Sequence, residues 1–151
     1  MKIIDTHQHF WNYDPKTHDW INEDMRVIRK DFLPADLAPI LKENNVDGCI
    51  AVQADQTDAE TQILIREANQ NSFIKGVVGW VDLNSTEIEA ALASYTDTKM
   101  LKGFRHILQA EPKGFMLAPS FKKGIDALTK YNYTYDLLIY ASQLKEAKEF
   151  I

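Results

Sequence analysis

The stretch Met1-Lys2-Ile3-Ile4-Asp5-Thr6-His7-Gln8-His9-Phe10-Trp11 decides how the chain is read, because an apolar run passes straight into a carboxylate and two imidazoles. In a strand, side chains at i and i+2 share a face. Ile3, Asp5, His7 and His9 therefore line one side, and Lys2, Ile4, Thr6 and Gln8 the other. Burying polar groups without partners costs free energy, so the histidine face has to border a polar cavity at the C-terminal end of the strand. An edge strand with two surface histidines is the plainer alternative. The acid before the pair and Phe10-Trp11 after it weigh against that reading.

Downstream, apolar segments at Val46 to Ala54, Phe73 to Leu83, Met100 to Leu108 and Thr134 to Tyr140 read as strands, recurring about every thirty residues. Helices are expected between them. One runs from Pro34 to about Asn45 with Leu37, Ile40 and Leu41 at helical spacing. Another opens with the capping-box spacing Thr57-Asp58-Ala59-Glu60 and carries a buried stripe of Ile63, Leu64 and Ala68. A third begins at Ser85, a fourth spans Pro119 to Tyr131, and the tail from Ser142 begins a fifth. The aromatic-rich passage Asn12 to Leu33 is long for a loop without structure. It is expected to fold over the pocket, to plug the side of the domain through Trp20, Ile21 and Met25, or to do both.

Two α/β folds fit this alternation. Five units would complete a doubly wound sheet; eight, at about 250 residues, would make a TIM barrel. Spacing alone does not choose. A doubly wound nucleotide or flavin protein places a glycine- or hydroxyl-rich phosphate turn after its first strand, and here that place holds His7-Gln8-His9-Phe10-Trp11.

Composition narrows the function classes. At 151 residues, with 45% hydrophobic and 26% charged residues, the chain suits one globular domain. Net charge is -5, with no basic cluster longer than Lys122-Lys123, so nucleic acid is not an expected partner. The sequence contains neither an apolar run long enough to span a membrane nor a signal-peptide layout, and the expectation is a cytoplasmic protein without a membrane partner. The single cysteine, Cys49, lies within Gly48-Cys49-Ile50-Ala51-Val52 and reads as a small buried hydrophobe.

The opening motif Asp5-Thr6-His7-Gln8-His9-Phe10-Trp11 resembles that of the amidohydrolase superfamily, in particular the sugar-acid lactonase branch related to fuconolactonase and rhamnonolactonase. Three later stretches are similar to that branch: Gly79-Trp80-Val81-Asp82-Leu83, Gly103-Phe104-Arg105-His106-Ile107-Leu108-Gln109 and Tyr135-Asp136-Leu137-Leu138-Ile139. The resemblance runs from Lys2 to about Leu144. It implies that residues 1–151 are a single incomplete domain, the first five units of an eight-unit barrel, without the strands that carry the family's later site residues.

By the same resemblance, His7 and His9 are catalytic residues and the ligands of one divalent ion, zinc foremost, or else the site works without a metal. Two histidines supply only half of a zinc site. Arg105, if it faces the barrel, can hold a lactone carbonyl, ring oxygen or carboxylate through the paired donors of its guanidinium. His106 then faces the helices as a structural residue. Gln53, Trp80, Asp82 and Gln109, at or past strand ends, are candidate substrate contacts, as are Trp11 as a flat apolar wall and Asp136 on the fifth strand. The implied reaction adds water to a small sugar-acid lactone, with the general base beyond Ile151. Three alternatives stay open: a zinc-dependent decarboxylase of the same superfamily, a non-catalytic half-barrel, and a homodimer closed through the open barrel edges.

Overall fold

Five parallel strands cross one sheet in chain order: β1 (Ile4–Gln8), β2 (Gly48–Val52), β3 (Ile74–Gly79), β4 (Leu101–Ile107) and β5 (Thr134–Leu138). The computed structural model describes every residue from Met1 to Ile151. Helices α1 (Pro34–Glu43), α2 (Asp58–Gln70), α3 (Ile88–Ala93) and α4 (Pro119–Lys130) make the successive crossovers, and α5 (Leu144–Phe150) follows the last strand. A doubly wound sheet reverses its strand order at a switch point. The order β1-β2-β3-β4-β5 has no reversal, so that alternative is corrected: the sheet is the first five strands of a barrel.

The strands are short, and the three central ones, β2, β3 and β4, are buried along most of their length, whereas β1 and β5 at the sheet edges are half-buried or exposed. Phe104, Leu64, Leu92, Leu108, Phe121 and Leu128 fill the space between sheet and helices with almost no exposed surface. Gly124 permits the close approach of α4, because a Cβ there would lie 2.1 Å from the Leu83 carbonyl oxygen. Cys49 is buried in the same layer, and burial pushes its thiol up to about 11, in keeping with an inert packing role.

Two helical stripes differ from the spacing. Ile40 on α1 and Ile63 on α2 are exposed, while Leu41, Leu64 and Ala68 are buried as expected. Helical period sets which residues share a face but not how far the buried arc extends. Ile63 instead lines a cleft of about 320 Å³ with Phe10, Trp11, His18 and Glu60.

The passage Asn12 to Leu33 closes on itself. An antiparallel bridge joins Trp11 to Phe32, and a 3-10 turn at Glu23–Ile28 is capped by the Asn22 side chain. Ile21 and His18 are buried and Trp20 is exposed. The Trp11 ring meets Phe32 at 5.1 Å and His18 at 5.8 Å between centroids. Ile21 packs inward as expected of a plug, and Trp11 sits where this flap meets the end of β1.

Candidate active site

Each strand of a parallel barrel ends at one rim, so side chains distant in sequence converge there. His7 and His9 lie at and just past the end of β1, with Nε2 atoms 3.1 Å apart and rings edge to face. Gln53 follows β2 directly and is fully buried. Arg105 comes from the inner face of β4 and is only 5% exposed. Its register partner on β5 is Asp136.

Hydrogen bonds fix the protonation pattern. The Val52 carbonyl oxygen accepts from His9 Nδ1 at 2.8 Å, so neutral His9 carries its lone pair at Nε2. Arg105 Nη1 donates to His7 Nε2 at 3.0 Å, which places the His7 lone pair on Nε2 as well. Two unprotonated nitrogens thus face one another. Burial, followed by the Arg105 and His7 charges, pushes His9 down to about 4, against the pull of its Val52 bond. His7 is lowered by burial and then by Arg105, with Asp136 and Asp5 acting in the opposite direction.

Arg105 is held rather than free. Its Nε donates to Gln53 Oε1 at 3.2 Å, and its Nη2 donates to Gln53 Oε1 at 2.7 Å and to the Gln53 carbonyl oxygen. A guanidinium has five N–H groups. Three go to Gln53 and one to His7, which leaves one N–H. The expectation of a paired grip on substrate is therefore corrected: while Gln53 holds the fork, Arg105 offers a single donor beside the histidines. Burial lowers the arginine's pKa, with Asp136 and then Glu60 opposing.

The remaining candidates divide. Trp11 flanks His9 at 6.4 Å between ring centroids, and its indole N–H donates to the Lys30 carbonyl oxygen. Asp136 lies beside Arg105 and favours the charged forms of Arg105 and His7. Trp80 is turned to the outer face, where its Nε1 donates to His106 Nδ1 at 3.2 Å. Asp82 is exposed and accepts from the Asn84 backbone N–H at 3.0 Å. Gln109 donates to the Ile139 carbonyl oxygen and lines a separate open cavity of about 590 Å³ with Tyr140, Gln143 and Glu146. His106 faces the helical layer, as expected of a structural residue, bonded to Glu111 at 2.8 Å and stacked on Phe115.

Glu60 escapes the sequence reading as a site residue. Its capping-box spacing points to the helix start, and Thr57 Oγ1 does accept from the Glu60 N–H. The Glu60 carboxylate, however, accepts from the backbone N–H groups of Ala54 and Asp55, each at 2.8 Å. The signal in the sequence was a carboxylate seven residues past Gln53, and cap chemistry gave it a sufficient local reason.

Zinc takes three or four protein ligands, of which the facing Nε2 atoms supply two. No group of three or more His, Cys, Asp or Glu side chains that could hold a metal ion is assembled. His7 and His9 by themselves fall short of the ligand number zinc requires.

Comparison with known proteins gives the chain a family. The amidohydrolase family matches residues 4–151. An L-fucono-1,5-lactonase of Burkholderia multivorans is 37% identical over 149 residues, covering 97% of this chain and 50% of the relative. Another from Burkholderia ambifaria is 34% identical over 137 residues, covering 90% and 47%. A crystal structure of a Burkholderia multivorans amidohydrolase with bound zinc superposes with a TM-score of 0.95 at 35% identity, covering 99% of this chain and 53% of that one. The chain spans about half the length of the curated relatives it matches. Sequential parallel strands, converging imidazoles and these likenesses agree: the chain belongs to the amidohydrolase family.

Proposed function

We propose that this chain supplies the carbonyl-polarising part of a sugar-acid lactonase site. The observation that supports it is the convergence of His7, His9 and Arg105 at one rim, with Gln53 fixing the guanidinium. As a lactone's ester carbonyl accepts water, negative charge grows on its oxygen. A donor already aimed and desolvated stabilises that charge without reorganising, and losing one such donor typically costs about 3 kcal/mol of barrier. In this reading the free N–H of Arg105 is that donor, and Asp136 lies beside the guanidinium as a counter-charge. Trp11 borders the ring on the flap side. Trp80, Asp82 and Gln109 would reach substrate only if the outer rim rearranged.

Where a divalent ion is bound, zinc foremost, His7 and His9 would hold it with ligands from outside these residues. The ion would bring water to ionise near neutral pH. The same reading places the general base outside residues 1–151. It also has the strands on either side of β1 and β5 supplied by the remaining barrel or by a second copy. No helix is long and apolar enough to cross a membrane, and we propose a cytoplasmic setting.

The test is hydrolysis of a panel of aldonolactones by residues 1–151, with and without zinc, beside His7→Ala and Arg105→Ala. Turnover abolished by both substitutions supports the site and shows this length to be catalytically sufficient. Turnover indifferent to both overturns the assignment. A folded protein without turnover favours the non-catalytic half-barrel reading for this length.

A further inference from the structure

The Gln53–Ala54 peptide group stands between two opposite charges. Its carbonyl oxygen accepts from Arg105 Nη2, and its N–H, on Ala54, donates to Glu60 Oε1 at 2.8 Å. The other Glu60 oxygen takes the next N–H, that of Asp55, at 2.8 Å. On the preceding side the Gln53 N–H is pinned to the Val78 carbonyl oxygen at 2.8 Å. Gln56 Oε1 ties the same turn to the end of β4 by accepting from the Ile107 N–H at 2.7 Å. Hydrogen bonds at the two ends of one amide polarise each other, so the carboxylate strengthens the carbonyl that grips the arginine.

We infer that Glu60 is a positioning residue for Arg105, paired with it through the Gln53–Ala54 peptide and holding the turn that carries Gln53. Its importance for lactone hydrolysis rests on the function proposed above; its coupling to Arg105 does not. Glu60 acts through the peptide and makes no hydrogen bond to His7 or His9. Its ionised form suits the role, because both oxygens accept. Protonation would turn one of them into a donor facing an N–H.

Burial pushes Glu60 up to about 7, against the Ala54 and Asp55 bonds; the Asp55 charge adds to the rise and Arg105 opposes it. His18 from the flap and Glu67 from α2 share its cleft. Both acceptor bonds are therefore held by the ionised carboxylate, and one of them is lost as the pH falls through about 7.

The experiment is a pH titration of the whole 151-residue chain by NMR. It follows the Ala54 and Asp55 amide protons, the Gln53 carbonyl carbon and the Arg105 Nε–H, in wild type and in Glu60→Gln. The expected result is a common midpoint near 7 for all four signals in wild type, absent from the variant. Amides that titrate while Arg105 Nε–H stays still would overturn the coupling. So would an Arg105 transition that survives in Glu60→Gln, since that would belong to the histidines. Should Glu60→Gln not fold, Glu60→Asp replaces it, and the expected result is a displaced common midpoint; an unmoved Arg105 midpoint overturns the coupling.

With a turned-over lactone, the acid limb of kcat/KM near pH 7 should vanish in Glu60→Gln, with a loss of about 10- to 100-fold, as for residues that orient a reacting group. An acid limb unchanged in the variant overturns the positioning role. Absence of turnover in every protein counts only against the catalytic sufficiency of this length and leaves the coupling to be decided by NMR, which is read without substrate.

Discussion

Arg105 and His106 are neighbours on β4, equally buried at 5% and 7% exposure, yet they belong to different chemistries. Arg105 points inward, where its donors meet Gln53 and His7 at the rim. His106 points outward into an aromatic box of Phe115 and Phe121, with Trp80 donating to one nitrogen and Glu111 bonded to the other. The inner group retains an unspent donor next to unprotonated imidazoles. The outer group has both nitrogens satisfied. Burial alone therefore does not separate the two residues; the partners their polar groups find do.

The comparison can be broken most strongly at Phe104, next to Arg105 on the outer face. Phe104→Ala should lower unfolding free energy by about 3–5 kcal/mol, measured by urea denaturation, because it empties the centre of the helical layer. Arg105→Met should instead act on chemistry. If the lactonase reading holds, kcat should fall about 10²- to 10³-fold while a folded spectrum persists. A loss confined to stability would put Arg105 in the same class as His106.

His106→Ala should cost about 1–3 kcal/mol of stability, because it strands the Trp80 N–H and the Glu111 carboxylate. Its effect on kcat should be small, and its signature should be a shifted Trp80 indole resonance. A kcat loss rivalling that of Arg105→Met would erase the distinction between the faces.

Acid should separate the inner cluster next. Unfolded His9 takes a proton at its ordinary 6.5, whereas the folded group refuses one until about 4. The unfolded chain binds more protons in that window, so this contribution to stability is complete above pH 6.5 and lost as pH falls towards 4. Glu60, raised to about 7, contributes with the opposite sign between its ordinary value and 7. The His9 share is therefore read as the difference between wild type and His9→Asn, expected at about 2 kcal/mol after allowance for partial solvent exposure. A pH-independent difference would mean that His9 is not held neutral. The smallest effect should come from Thr57→Ala, about 1 kcal/mol from the lost α2 cap.

Much of the barrel was legible in the chain. The β–α alternation left two folds open, the resemblance carried by the imidazole motif pointed to a barrel sector, and the unreversed strand order agrees. Strand parity put Arg105 and His106 on opposite faces without saying which face was inward. The partner of Arg105 was not legible, because Gln53 lies 52 residues earlier and nothing in local spacing links β2 to β4. Trp80 resisted reading for a related reason. Its position at a strand end suits a substrate wall, but an outward indole finds an acceptor in His106.

By itself, then, the sequence determined the elements and which polar side chains of β1 and β4 share a face, since these follow from period-two geometry and local turn chemistry, and its motifs carried the family resemblance. Only the tertiary structure decided how the donors are spent. Hydrogen bonds across a parallel sheet join residues tens of positions apart, and it is their closure around Gln53 and Glu60 that leaves Arg105 one free N–H at the rim.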